Sequence, residues 1–219
     1  MIIGMILRIK EENKIMEKWL KWAIEIQSLA QIGLTYTKDI YDKERYERLR
    51  AISTEMLAEK TGISEEKVKD LFCNETGYQT PKLDTRAAIF KDDKILLVHE
   101  NNGTWALPGG WCDVLESIKT NTEKEVREET GLTVKPVKII SIQDRNKHNK
   151  PIYAYGVCKI FVLCELVSGE FKKNIETTET SYFSLEDLPS NLAEEKTTKE
   201  QIQLCFKAYF SKYWEAEFD

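Results

Sequence analysis

Ile15, Trp19, Trp22, Ile26 and Leu29 follow one another at three- and four-residue steps, the period of one helical face, and the pattern ends near Gly33. A second helix is predicted over residues 39–59, with Ile40, Leu49, Ile52 and Met56 among its apolar positions. A third, short helix follows Ser64 as N-cap and turns Val68, Leu71 and Phe72 inward. After a polar stretch at 74–81 that carries Gly77 and Pro81, the apolar period changes to that of strands. Residues 86–90 and 95–99 read as a hairpin around Lys91, Asp92, Asp93 and Lys94, with further strands at 134–143 and 155–167 and a short strand and turn at 180–188. Between them, Ile118, Thr122 and Val126 recur every four residues, Ser117 suits an N-cap and Gly131 a left-handed stop, so residues 118–130 are expected to be helical. A last helix at 198–214 offers Ile202, Cys205, Phe206 and Tyr209 for packing. The chain thus divides into a helical domain over residues 1–78, with 1–15 as an extended start and Met16 as an alternative natural start, and an α+β domain over 82–219.

Composition narrows the classes without changing this picture. A length of 219 residues, 42% hydrophobic and 32% charged, is enough for one good core and a small extra domain. The net charge of −5 argues against broad, sequence-independent binding to nucleic acid, so a polyanion has to be met locally. Cys73, Cys112, Cys158, Cys164 and Cys205 form no C-x-x-C pair, a pattern that suits reduced thiols in a cytoplasmic protein. The apolar opening at residues 1–7 is too short for a membrane span and lacks the features of a signal peptide, so no membrane association is expected.

The chemistry concentrates in residues 110–132. On a helix over 118–130, Glu129, Glu125 and Glu128 fall roughly 60°, 100° and 160° to the same side of the buried Val126, one acidic flank beside a core-facing seam. Carboxylates about 5 Å apart repel by roughly 3 kcal/mol per pair at an effective dielectric near 20, so such crowding needs compensation. Hard oxygen donors of this kind suit Mg²⁺ or Mn²⁺, which take part of their shell from water and from substrate phosphates.

The same stretch resembles the Nudix box, G-x5-E-x7-R-E-U-x-E-E-x-G-U with U aliphatic. Gly110, Glu116, Glu125, Val126, Glu128, Glu129, Gly131 and Leu132 match, and Lys124 stands where the family usually has arginine, which keeps the charge but loses the planar fork. The approach Trp105, Ala106, Leu107, Pro108, Gly109 and Gly110 also resembles the family's. With the helical segment before it, the Gly77–Pro81 linker and the stretch at 144–151, the chain is similar to a Nudix subgroup with an extra helical domain that acts on CDP-choline or ADP-ribose. The resemblance implies an α/β/α sandwich with a mixed sheet, preceded by a small all-α domain. It also implies metal-dependent hydrolysis of the pyrophosphate bond in a nucleoside diphosphate joined to another group. The metal would sit on Glu125, Glu128, Glu129 and the Gly109 carbonyl; one carboxylate, Glu125 ranked first, would act as general base, and Glu116 would orient a neighbour. Glu176 and Glu179 are outside candidates for the base, as acidic residues just before or within the short strand near Tyr182.

Arg145, Lys147 and His148 are expected to close on phosphate or ribose as a cationic turn, with Lys124 as a fourth substrate-side cation; the competing reading is an exposed polar loop. His99 reads as structural, and Tyr153, Tyr155 and Phe183 as core aromatics rather than base-stacking ones. Subgroup resemblance further implies a homodimer through the helical domain and a 3′-to-5′ exoribonuclease side activity on short RNA. Trp19 and Trp22 suit either the dimer contact or packing within one small domain. Residues 57–68 also have the cadence of a helix-turn-helix, the signature of a nucleotide-sensing DNA-binding regulator, but a recognition helix opening on Ser64, Glu65 and Glu66 would repel phosphates.

Overall fold

The structure, a computed structural model, describes residues 18–73 and 76–219, apart from the side chain of Leu71. The expectations for Ile15, Met16 and the start at 1–15 lie outside the described residues, as do those for Leu71 as an inward side chain and for 74–75 within the linker. Two compact units result: one reaches to Pro81 and takes in Pro151–Gly156, and the other comprises Lys82–Lys150 and Val157–Asp219.

In the first unit, α1 (Lys18–Tyr36), α2 (Ile40–Thr61) and α3 (Glu65–Phe72) are each set by local signals. Asp39 caps α2 by accepting from the Tyr41 and Asp42 amides, Gly62 ends it in the left-handed region, and Ser64 caps α3. Leu20, Ala23, Leu57, Val68, Phe72 and Cys73 form the core, joined by Ala154. Two expectations fail here. α1 does not stop near Gly33 but runs on to Tyr36; Gly33 serves instead to let the Tyr46 ring of α2 pass, since a β-carbon there would come within 2.4 Å of that ring. The buried stripe is also displaced, with Leu20, Ala23, Gln27, Ala30 and Gln31 inside while Trp22 is 48% and Leu29 57% exposed; on α2, Ile40 and Leu49 likewise face out. The large residues carry the periodicity of the sequence, but close helix packing selects the small ones.

The second unit is built on a mixed sheet of β1 (Lys82–Lys91), β2 (Lys94–Glu100), β3 (Trp105–Ala106), β4 (Leu132–Asp144), β5 (Val157–Gly169), β6 (Thr177–Phe183) and β7 (Glu217–Phe218). Strand order is β3-β2-β1-β5-β4-β7, with β6 paired to β2; β1 runs parallel to β5, and β5 antiparallel to β4. Alternate residues feed two separate cores. Ala87, Ile89, Leu96, Ile160 and Val162 meet Val126 of α4 (Ile118–Thr130), while Ala88, Leu97 and Phe161 meet Ile202, Cys205 and Phe206 of α6 (Lys199–Phe210). This is the α/β/α sandwich with a mixed sheet, preceded by an all-α domain.

α6 is shorter than the sequence suggests. It ends at Phe210, and Trp214 instead turns back to donate from its indole nitrogen to the Ile140 carbonyl at 3.0 Å. The chain then adds β7 beside β4, an element with no sequence signal beyond two residues. No helix among the described residues is long and apolar enough to cross a membrane.

Candidate active site

α4 begins and ends where its caps require. Ser117 and Thr120 close a capping box, and Gly131 stops the helix in the left-handed region, so Glu125, Glu128 and Glu129 occupy its last two turns. The segment before α4 is pressed onto β1: Ala87 donates to the Pro108 carbonyl at 2.8 Å and Thr85 to the Gly110 carbonyl at 2.9 Å. Gly109 has φ 139° and sits so tightly that a β-carbon would fall 2.0 Å from the Thr85 carbonyl oxygen. At Gly110 a β-carbon would meet the Glu125 carboxylate at 2.5 Å, so the missing side chain leaves room for that group. The Gly109 amide donates to Glu129 Oε2 at 2.8 Å and draws the helix and the glycine segment together.

Charge is arranged around these contacts. Burial pushes the Glu129 carboxyl up to about 7, against the opposing field of Arg86 and the Gly109 amide. Burial also raises Glu125, opposed by Lys124 and aided by Glu128. Lys124, which the sequence left without its fork, works as a point charge. Its ammonium lies 2.8 Å from Asp113, 3.1 Å from Glu125 and 3.6 Å from Glu128, and these contacts raise its pKa, Asp113 foremost. Lys124 is therefore gathered with the glutamates. Asp113, absent from the sequence expectations, belongs to the cluster; only its place in the unspecified stretch between Gly110 and Glu116 of the box could have flagged it.

Beneath the glycine segment lies a second cluster that sequence reading missed. Asp84 and Arg86 on β1 are buried, Arg86 donating to Asp84 at 2.8 and 3.2 Å and to the Leu107 carbonyl at 3.3 Å. Lys159, the register partner of Asp84 on β5, donates to the same carboxylate at 2.7 Å. Burial works against ionisation of Asp84, but Arg86 and Lys159 outweigh it and hold the carboxyl below its usual range. Lys159 is drawn down to about 7 by burial. Arg86 cannot shed its proton, so the Asp84–Arg86 pair stays ionic in either state of Lys159. The available signal was charge within otherwise apolar strands.

The other expected residues are dispersed. Glu116 precedes the N-cap, and its amide donates to the Asp113 carbonyl. Glu176 sits in the loop before β6, and Glu179 is exposed on β6 opposite His99. The expected cationic turn is a one-turn helix, α5 (Arg145–His148), capped by Asp144. Arg145 points inward, 1% exposed, and donates to the Glu195 carbonyl; Lys147 is exposed; His148 pairs with Asp219. Lys147 and His148 both act on the Asp219 carboxylate, while Arg145 is buried apart from them. His99 is held by Thr178 at 2.8 Å and Phe183 packs against Trp105, both as structural residues.

Among the described residues no three His, Cys, Asp or Glu side chains already converge at metal-holding separations. The donor chemistry nonetheless fits a hard divalent cation. Three carboxylates share one flank, Glu125 and Glu129 are raised by burial in a way that added positive charge would relieve, and a resident ammonium now stands among them.

Comparison with known proteins places this geometry in a family. Residues 17–72 match a family described as a UDP-X-like, N-terminal oligomerisation domain, and residues 80–205 match the NUDIX domain. The chain is 39% identical over 194 residues, 88% of its length and 93% of the relative's, to YjhB of Bacillus subtilis (strain 168), provisionally named an ADP-ribose pyrophosphatase. Among solved structures, an ADP-ribose pyrophosphatase of Streptococcus suis 89-1591 is 54% identical with a TM-score of 0.60, covering 64% of this chain and 100% of that one. A UDP-X diphosphatase is 34% identical, also with a TM-score of 0.60, over 91% of this chain and 97% of its own. With the box on α4, the glycine segment that meets it and the helical domain in front, the chain belongs to the Nudix family of pyrophosphohydrolases.

Proposed function

We propose that the protein hydrolyses the pyrophosphate bond of a nucleoside diphosphate linked to a second group, with ADP-ribose the first substrate to test and CDP-choline and UDP-linked compounds beside it. The observation that carries this reading is the junction of Glu125 and Glu129 with Gly109 and Gly110, within a chain that resembles ADP-ribose pyrophosphatases over most of its length. Held by Glu125, Glu128, Glu129 and the Gly109 carbonyl, Mg²⁺ or Mn²⁺ would supply neutralisation of the phosphoanhydride charge and activation of water. The chain's own residues do the rest. The Gly109 amide keeps Glu129 aimed at the glycine segment, and Lys124, steered by Asp113, holds Glu125 and Glu128 in place until substrate binds. Glu125, whose carboxyl is raised by burial, takes the proton from the attacking water, and Glu116 stands next to the helix start to orient a neighbour. Glu176 and Glu179 are the alternative proton acceptors.

A panel of ADP-ribose, CDP-choline, UDP-sugars and short RNA with Mg²⁺ or Mn²⁺, read by ³¹P NMR in ¹⁸O water, is expected to give a nucleoside monophosphate and a phosphorylated remainder. No cleavage anywhere in the panel removes the proposal, and release of nucleotides from RNA alone would move it to an exoribonuclease. Duplex DNA is disfavoured as a partner, since α3 opens on Glu65 and Glu66.

The helical unit supports a homodimer. Trp22, Leu29 and Tyr36 recur every seven residues on α1 and are 48%, 57% and 66% exposed, a stripe that lies along one helix side. Trp19, in contrast, packs against the unit's own core. Trp22→Glu combined with Leu29→Glu is expected to halve the mass measured by light scattering; an unchanged mass would take the stripe out of the interface.

A further inference from the structure

We propose that Asn174 is a positioning residue of this site, holding the last turn of α4 in register with the loop that carries Glu176; the idea rests on the glutamate site proposed above. The last carbonyls of a helix lack partners within the helix. Here the Asn174 side-chain amide donates to the Glu129 carbonyl at 2.8 Å and to the Glu128 carbonyl at 3.0 Å. Its oxygen accepts from the Glu176 amide at 2.9 Å and the Thr177 amide at 2.8 Å. One side chain therefore ties the backbone of two of the proposed metal-binding glutamates to the backbone of an acid 45 or more residues away.

Other contacts show how the loop is held independently of Asn174. Lys172 donates to the Thr130 carbonyl at 3.3 Å, and on the far side Asn101 fixes the loop through the Ile175 and Glu176 carbonyls at 3.0 and 3.1 Å. The loop would stay attached without Asn174, but the helix end would lose its only side-chain amide among the described residues. The carboxylates of Glu128 and Glu129 leave from the residues whose carbonyls Asn174 holds, so freedom in that turn spreads their positions. Partners one step behind metal ligands commonly change metal affinity or activity by roughly 10- to 100-fold.

The test uses the full chain and Mn²⁺ alone, with free Mn²⁺ counted by electron paramagnetic resonance, so that no substrate is needed. Asn174→Ala and Asn174→Asp are each expected to weaken Mn²⁺ binding by roughly tenfold or more at nearly unchanged melting temperature. The Asp variant keeps the two bonds to the loop, loses those to α4 and the longer one to the Lys172 carbonyl at 3.4 Å, and sets a carboxylate oxygen against those carbonyls; it carries the comparison if the Ala variant folds poorly. Asn101→Ala, which loosens the same loop without touching α4, is expected to leave Mn²⁺ affinity within twofold. Unchanged affinity in both Asn174 variants, or equal weakening in Asn101→Ala, overturns the proposal. A wild-type protein that binds Mn²⁺ but cleaves nothing in the panel would sink the substrate reading and leave this inference standing.

Discussion

Glu129→Gln is expected to lower turnover by roughly 10²- to 10³-fold or more while making the metal-free protein more stable at pH 8. The two effects have one cause. Burial raises the Glu129 carboxyl to about 7, whereas in the unfolded chain it titrates near 4.3. Between those values the folded state binds the proton that the unfolded state has released, so metal-free stability falls as pH rises through this window. At pH 8 the charged group costs up to about 3 kcal/mol, and below about pH 4 nothing. Glutamine keeps the hydrogen bond from the Gly109 amide but has no charge to bury. Its stabilisation should therefore be clear in melts at pH 8 and fade toward pH 4, a stability–activity exchange typical of sites built for charge. Equal stability of variant and wild type at both pH values would show that Glu129 carries no such burden.

Asp84→Asn should produce the largest loss of stability, about 3–5 kcal/mol, by stranding Arg86 and Lys159 in the interior. The sign with pH is distinctive. In the wild type Lys159 holds its proton up to about 7; without the Asp84 carboxylate it gives that proton up at lower pH. Below about 7 the variant's folded state then binds fewer protons than its unfolded state, so its stability climbs with pH while the contribution of wild-type Lys159 stays flat. Chemical denaturation should find the deficit greatest at acidic pH and smaller near 7. Adding Lys159→Met should recover part of it, since one stranded charge is then replaced by an apolar chain of similar length. A deficit independent of pH would mean that Lys159 does not titrate in response to Asp84.

The parts of this molecule that sequence reveals are those fixed by neighbours in the chain. α4 has the limits its caps dictate because Ser117, Thr120 and Gly131 act within one turn of the helix they bound, and the acidic flank follows from helical spacing alone. The longer strands were legible from their apolar runs for the same reason, whereas β3 and β7, two residues each, were not. Side-chain direction in α1 was not, because the choice between Trp22 and Ala23 as the inward residue is made by the crossing of α2, and Gly33 looks like a stop only until Tyr46 is in place. The partners of Arg145 and His148 were not legible either, since the Glu195 carbonyl and Asp219 lie 50 and 71 residues away. The Asp84–Lys159 and Asn174–Glu129 contacts span 75 and 45 residues, and no local pattern announces either.

Lys124 gives the protein a tolerance that its glutamates alone would deny it. An ammonium shared by Asp113, Glu125 and Glu128 offsets their mutual repulsion without any metal ion. If the activity depends on a divalent cation as proposed, removing the ion with a chelator should abolish turnover while leaving the melting temperature nearly unchanged.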